Sequence, residues 1–245
     1  QPVSTIEKPE DFGFAFHEVA LTEEMNGDED EKLGIGTFVY TEPMTNWRKF
    51  RGPGPKSYSS YMSQLTEDAL NGDRSAQATL TSGVKLANGR YFVYLAPVAY
   101  TPLSPFGVNC DPEVPTSDWP GWPNRAQFEM ERLAKALGWT DQPGLGLDGV
   151  YVDSMESGWS QGNYRRDHWR TTRYPLTFDP ASKRVCLANF WGNYAFIKNL
   201  SAKLHARNQH LMGNDAFYRS WFLAPLVDIP GREYAWYEGD RWMPV

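Results

Sequence analysis

Apolar and polar positions alternate along this chain in two rhythms, and their order predicts a parallel α/β fold. The run Val150-Tyr151-Val152, opened by Asp148-Gly149, reads as a short buried strand that ends on Asp153. Side chains alternate on a strand, so Tyr151 and Asp153 share one face while Val150 and Val152 share the other. Gly36 to Thr41 is a second strand of this kind. It ends on Glu42, with Pro43 stopping the ladder, and sets Phe38, Tyr40 and Glu42 on one face. Arg90 to Pro97, His210 to Asp215 and Leu226 to Glu233 are further strand-like runs, and Phe12 to Phe16 is a short one near the N-terminus. Between them the period changes. Met130, Leu133, Ala134 and Leu137 follow helical spacing after a capping Asn124 and stop at Gly138, and Tyr194, Ile197, Leu200 and Leu204 mark a second helix. Residues 57–80 have helix-like composition but a poor period. A helix between two strands is the unit of a parallel sheet.

The connections carry most of the chemistry. Trp47 to Pro55 reads as a Gly/Pro loop with two aromatic rings and three cations, shortly after Glu42. Thr101 to Pro123 is a long Pro-rich connection containing Asn109 and Asp111, and a structureless connection of that length in a compact domain tends to be functional. Asn163 to Trp169 mixes Tyr164, Arg165 and His168 in another loop. The acidic run from Glu23 to Glu31 lacks the spacing of a calcium loop and is expected to be a solvated turn. An Asp at a strand end often caps the next turn, and Asp153 with Ser154 fits that ordinary role as well as a catalytic one.

A chain of 245 residues suits one sizeable core, so a single barrel-like domain over residues 1–245 is expected, with an irregular segment over about residues 1–33. A net charge of −6 without a block of cations argues against nucleic acid, and no apolar run is long enough for a membrane span, so a soluble chain is expected. Two cysteines, Cys110 and Cys186, allow one bridge but no disulfide framework. His17, His168, His205 and His210 have no metal-ligand spacing, so no metal and no cofactor are expected. Aromatic residues make up 15% of the chain, and Trp47, Trp119, Trp122, Trp159 and Trp236 fall in loop-like contexts. Any one tryptophan is ordinarily packing, but flat apolar faces gathered beside polar groups suit sugar rings.

The segments Asp148 to Ser154, Asn163 to His168, Pro175 to Asp179, Leu211 to Asn214 and Asp228 to Glu233, with Glu42-Pro43-Met44, resemble a group of bacterial TIM-barrel glycoside hydrolases over roughly residues 12–242. The resemblance implies a (β/α)8 barrel, secretion or a periplasmic location, and a polysaccharide or oligosaccharide substrate cleaved by two carboxyls in a retaining mechanism. By similarity to barrel glycosidases, Asp153 is the expected nucleophile and Glu233 the acid/base, with Glu156 and Glu42 as alternative acids. Trp47, Asn109, Asp111, Trp159, Tyr164, Arg165, His168, Asn214, Asp215 and Trp236 are the expected substrate contacts. About six of the eight strands can be counted, so an incomplete barrel is expected, with self-association or a partner chain completing it. Two other functions compete. A non-catalytic carbohydrate-binding or structural protein would retain polymer without releasing product, and a polysaccharide lyase would leave unsaturated uronic acid products.

Overall fold

The computed structural model describes residues 15–20, 28–51, 57–95, 103–141, 144–155, 162–214, 221–231, 237–238 and 241–242. In chain order the elements are β1 (Phe16–Val19), α1 (Asp28–Lys32), β2 (Gly36–Thr41), β3 (Thr45–Lys49), α2 (Tyr58–Leu70), α3 (Arg74–Ser82), β4 (Leu103–Gly107) and α4 (Arg125–Ala136). They continue with β5 (Gly149–Val152), β6 (Gly162–Asn163), α5 (Arg166–Thr171), β7 (Thr177–Phe178), β8 (Val185–Ala188), α6 (Phe190–His205) and β9 (His210–Asn214). A 3-10 helix over Trp221–Leu226, β10 (Ile229–Gly231), β11 (Tyr237–Glu238) and β12 (Arg241–Trp242) complete the order.

The centre is a five-stranded parallel sheet in the order β1-β2-β5-β9-β10, an α/β half-barrel in which each strand pairs with the next parallel strand of the chain. Sequential parallel neighbours are what a barrel wall requires. The alternation of side chains then divides the residues. Val39, Val150, Val152 and Leu211 face the helical layer, where they join Leu133 and Ala136 of α4 and Phe196, Ile197, Leu200 and Leu204 of α6 in one buried cluster. Tyr40, Tyr151 and Met212 sit side by side on the other face, because the register pairs Tyr40 with Tyr151 and Tyr151 with Met212.

Local chemistry explains the helices. In α4, the Asn124 side chain accepts from Gln127 N at 2.8 Å while the Gln127 side chain accepts from Asn124 N at 2.9 Å, a complete capping box. Gly138, at φ 69°, provides the left-handed residue that ends it. The poor period of residues 57–80 has a simple cause. Two helices occupy that stretch, capped by Ser57 and Asp73, and the turn at Gly72 (φ 93°) resets the register between them.

Five expectations need correction. Asn163 to Trp169 is not a loop throughout, since Asn163 ends β6 and α5 begins at Arg166. Trp47 lies in a strand rather than a loop, since β3 pairs antiparallel with β4 and sets Trp47 opposite Pro105. β4 itself falls inside the connection read as structureless. The run beginning at Arg90 does not join the parallel sheet: its described residues make antiparallel bridges from Tyr91 to Lys85 and from Val93 to Phe106. Its apolar face of Tyr91, Val93 and Leu95 packs on a second core of Tyr61, Leu65, Ala69, Ala76, Leu80 and Phe106, built by α2, α3 and β4. The acidic run ends in helix over Asp28–Lys32, where Asp30 accepts from the Thr37 hydroxyl and contacts His17 Nδ1 at 2.7 Å.

Candidate functional site

Parallel strands deliver their C-terminal residues to one rim. Tyr40 and Glu42 come from the end of β2, Asp153 follows β5, and Asn214 ends β9. Tyr40 Oη donates to Asp153 Oδ2 at 2.8 Å and lies 3.3 Å from Glu42 Oε2. Asn214 Nδ2 donates to Asp153 Oδ1 at 2.8 Å, and Ser154 N donates to the same oxygen at 2.7 Å. The Trp47 indole donates to Glu42 Oε2 at 2.6 Å. Glu18, Tyr40, Tyr151, Asp153, Met212, Asn214 and Gly231 line a cavity of about 260 Å³ over this group.

Strain and electrostatics mark the same place. Ser154, a residue with a side chain, sits at φ 54°, a conformation such residues adopt sparingly and one that recurs at functional sites. Burial raises the Glu42 carboxyl above its ordinary range; the Asp153 charge pushes the same way, and hydrogen bonds including that of Trp47 pull it back. Glu42 is only 9% exposed. Burial and the two neighbouring carboxylates also raise the Tyr40 phenol, which therefore stays a proton donor. The group comprises two carboxyls in unlike surroundings, one phenol bridging them and an amide fixing one of them. Environments that drive two neighbouring acids apart are how acid and base roles are divided at one site.

Of the expected site residues, Asp153, Glu42, Asn214 and Trp47 come together. Glu156, Trp159, Asp215, Glu233 and Trp236 lie outside the described residues. Of the four that come together, Asp153 and Asn214 line the cavity while Glu42 and Trp47 stand behind Tyr40, and the remaining expected residues among those described do not line it. His168 is buried, with Nε2 3.1 Å from the Thr81 carbonyl and Nδ1 within reach of the Asn109 and Asn163 amides, at 3.3 and 3.0 Å. That pattern makes Nε2 the protonated nitrogen, and burial with the Arg165 charge pushes its pKa down to about 3. Arg165 pairs with Asp167 and donates to the Leu80 and Gly83 carbonyls. Asn109 and Asp111 bond within their own turn, and Tyr164 reaches Asp179 and Ser182 at the surface. Asp228, just before β10, belongs to the opposite end of the sheet, where it accepts from Leu211 N and His205.

Tyr40 is the residue that sequence reasoning passed over as a site member. Its signal was present, since alternation sets it on the face of Glu42, but nothing local shows that its hydroxyl meets Asp153. Among the described residues no group of three His, Cys, Asp or Glu side chains could hold a metal ion, and no helix is long and apolar enough to cross a membrane. No family model matches the chain, and no curated protein matches its sequence.

Proposed function

We propose that the chain hydrolyses O-glycosidic bonds of an oligosaccharide or polysaccharide, with Asp153 and Glu42 as its two working carboxyls and the half-barrel as part of a (β/α)8 barrel. One observation carries this: a single phenol oxygen lies within hydrogen-bonding reach of both carboxyls. Their nearest oxygens are thus no farther apart than the sum of those two contacts. That bound admits the roughly 5–5.5 Å between carboxyls that retaining glycosidases use, and a retaining mechanism is the one proposed.

In that mechanism Asp153 attacks the anomeric carbon as the glycosidic C–O bond breaks, and Glu42 gives its proton to the departing oxygen. Glu42 then takes a proton from water, whose oxygen displaces Asp153 from the sugar and returns both carboxyls to their starting states. Burial of Glu42 favours the protonated form it needs for the first step. Asn214 and Ser154 N orient Asp153, and Tyr40 keeps the pair in register. Glu42 takes the place of Glu233 in this pairing because the Tyr40 hydroxyl links it to Asp153, while Glu233 lies outside the described residues.

The test is product release from plant, algal and bacterial polysaccharides by the unmodified chain, Asp153→Asn and Glu42→Gln, with polymer retention recorded in the same assay. Release by the unmodified chain, its loss in Asp153→Asn, and a fall of about 10²–10⁴-fold in Glu42→Gln are expected. Retention of polymer with no release by any form would remove the hydrolase assignment and leave a binding protein. Unsaturated uronic acid products would make the chain a lyase.

A further inference from the structure

The corner that carries Glu42 runs from the end of β2 to the start of β3, where consecutive carbonyls turn away from the parallel sheet. Buried carbonyls need partners, and here each can be followed. The Met44 carbonyl accepts from Val108 N at 2.9 Å. The other three go to one side chain. Arg125 Nη2 donates to the carbonyls of Glu42 at 3.0 Å and Thr45 at 2.7 Å, and Nε donates to that of Pro43 at 3.2 Å. Arg125 is the first residue of α4 and is 5% exposed. Glu129, one helical turn later and fully buried, sets Oε1 2.9 Å from the same Nη2, a charge pairing without a hydrogen bond, because the Nη2 hydrogens already go to the two carbonyls. The other Glu129 oxygen accepts from the Thr41 hydroxyl at 3.0 Å and from Arg132 at 2.8 Å. One helix thus grips both ends of the segment from Thr41 to Thr45.

A buried ion pair of this kind is weak evidence of added stability, because desolvation of both charges offsets their attraction. What it does supply is geometry. The planar fork of an arginine fixes several acceptors at once, which the single point charge of a lysine does not reproduce. We propose that Arg125, held by Glu129, is a positioning residue that fixes the Glu42 carboxyl against Tyr40 and Trp47 by clamping the carbonyls around it. This rests on Glu42 being the acid of the reaction proposed above. A small displacement of a reacting group costs up to about 10²-fold in rate, so the clamp acts on turnover rather than on substrate affinity.

The test compares the unmodified full chain with Arg125→Lys, Glu129→Gln and Leu204→Ala. Leu204 is a fully buried α6 side chain that takes no part in the hydrogen bonds of the corner, and its truncation controls for general loosening of the core. Two readouts need no turnover: the NMR titration of the Glu42 carboxyl, assigned with Glu42→Gln, and the Trp47 indole proton, assigned with Trp47→Phe. Arg125→Lys is expected to bring the Glu42 midpoint toward the ordinary carboxyl range and to move the Trp47 signal toward that of a free indole. Glu129→Gln is expected to do the same more weakly, and it serves if the lysine variant does not fold. On a released substrate, kcat falls about 10–100-fold with KM little changed. Unchanged NMR readouts in folded variants, or equal changes in Leu204→Ala, overturn the proposal. NMR changes specific to the clamp variants, with no hydrolysis by the unmodified chain, uphold the positioning and remove only the hydrolase assignment.

Discussion

Trp47→Phe separates charge from packing at Glu42. The indole donates to Glu42 Oε2 across 2.6 Å, and the carboxyl is 9% exposed, so solvent screening is slight. A hydrogen bond to a charged carboxylate contributes about 1.5–3 kcal/mol and one between neutral groups about 0.5–1.5 kcal/mol. The difference of about 1–1.5 kcal/mol is what the proton can feel, and it corresponds to about one pKa unit. Burial already holds the folded pKa of Glu42 above its ordinary value of 4.5, and loss of the indole donor moves it further up.

The sign for stability follows from proton counting. A carboxyl with a raised folded pKa binds more protons in the folded state, so stability is fully present below the unfolded pKa and is lost as pH rises through the folded one. Trp47→Phe extends that loss by about one pH unit. Urea unfolding of parent and variant from pH 4 to 9 should therefore show an extra destabilisation of about 1–1.5 kcal/mol on the alkaline plateau relative to pH 4. The packing lost with the indole is common to both ends of the range and cancels. A difference that does not depend on pH, or one that shrinks as pH rises, would refute the argument.

Two further outcomes test the frame around the site. A methyl group added at Gly149 would lie 1.9 Å from the His210 carbonyl oxygen, so Gly149→Ala must part β5 from β9; a loss of about 1–3 kcal/mol or more is expected in thermal or urea unfolding, and an unchanged transition would contradict the register. His168 should remain neutral and Nε2-protonated at pH 5 in a ¹⁵N NMR titration, with its midpoint near 3. Its folded pKa lies below the unfolded value of 6.5, so its share of stability is lost as pH falls through that interval, and a midpoint near 6 would remove the buried network around it.

Particular residues show where the sequence was informative. Asn124 and Gly138 announce both ends of α4 because capping is settled within a few residues. Alternation sets Val150 and Val152 together on one face of their strand, and that face packs on the helices. Residues 45–49 and 103–107 were hidden because each is a strand only in the presence of the other, across more than fifty residues of chain. Periodicity reports which face is buried and says nothing of the partner.

His168 and Glu42 show the same division at the level of chemistry. Both are polar residues with an aromatic one within two positions, Trp169 after His168 and Tyr40 before Glu42. Yet His168 satisfies both ring nitrogens inside the frame, while Glu42 borders Tyr40 at the rim. Local sequence determined that β2 and β5 end on carboxylates with Tyr40 and Tyr151 beneath them, since a period of two residues fixes which side chains share a face. Only the tertiary structure decided that Tyr40 meets Asp153, 113 residues away, and that Asn214 reaches the same carboxylate from 61 residues beyond it. Those contacts depend on the registers between β2, β5 and β9, which the packing of the whole sheet selects and no local run of residues specifies.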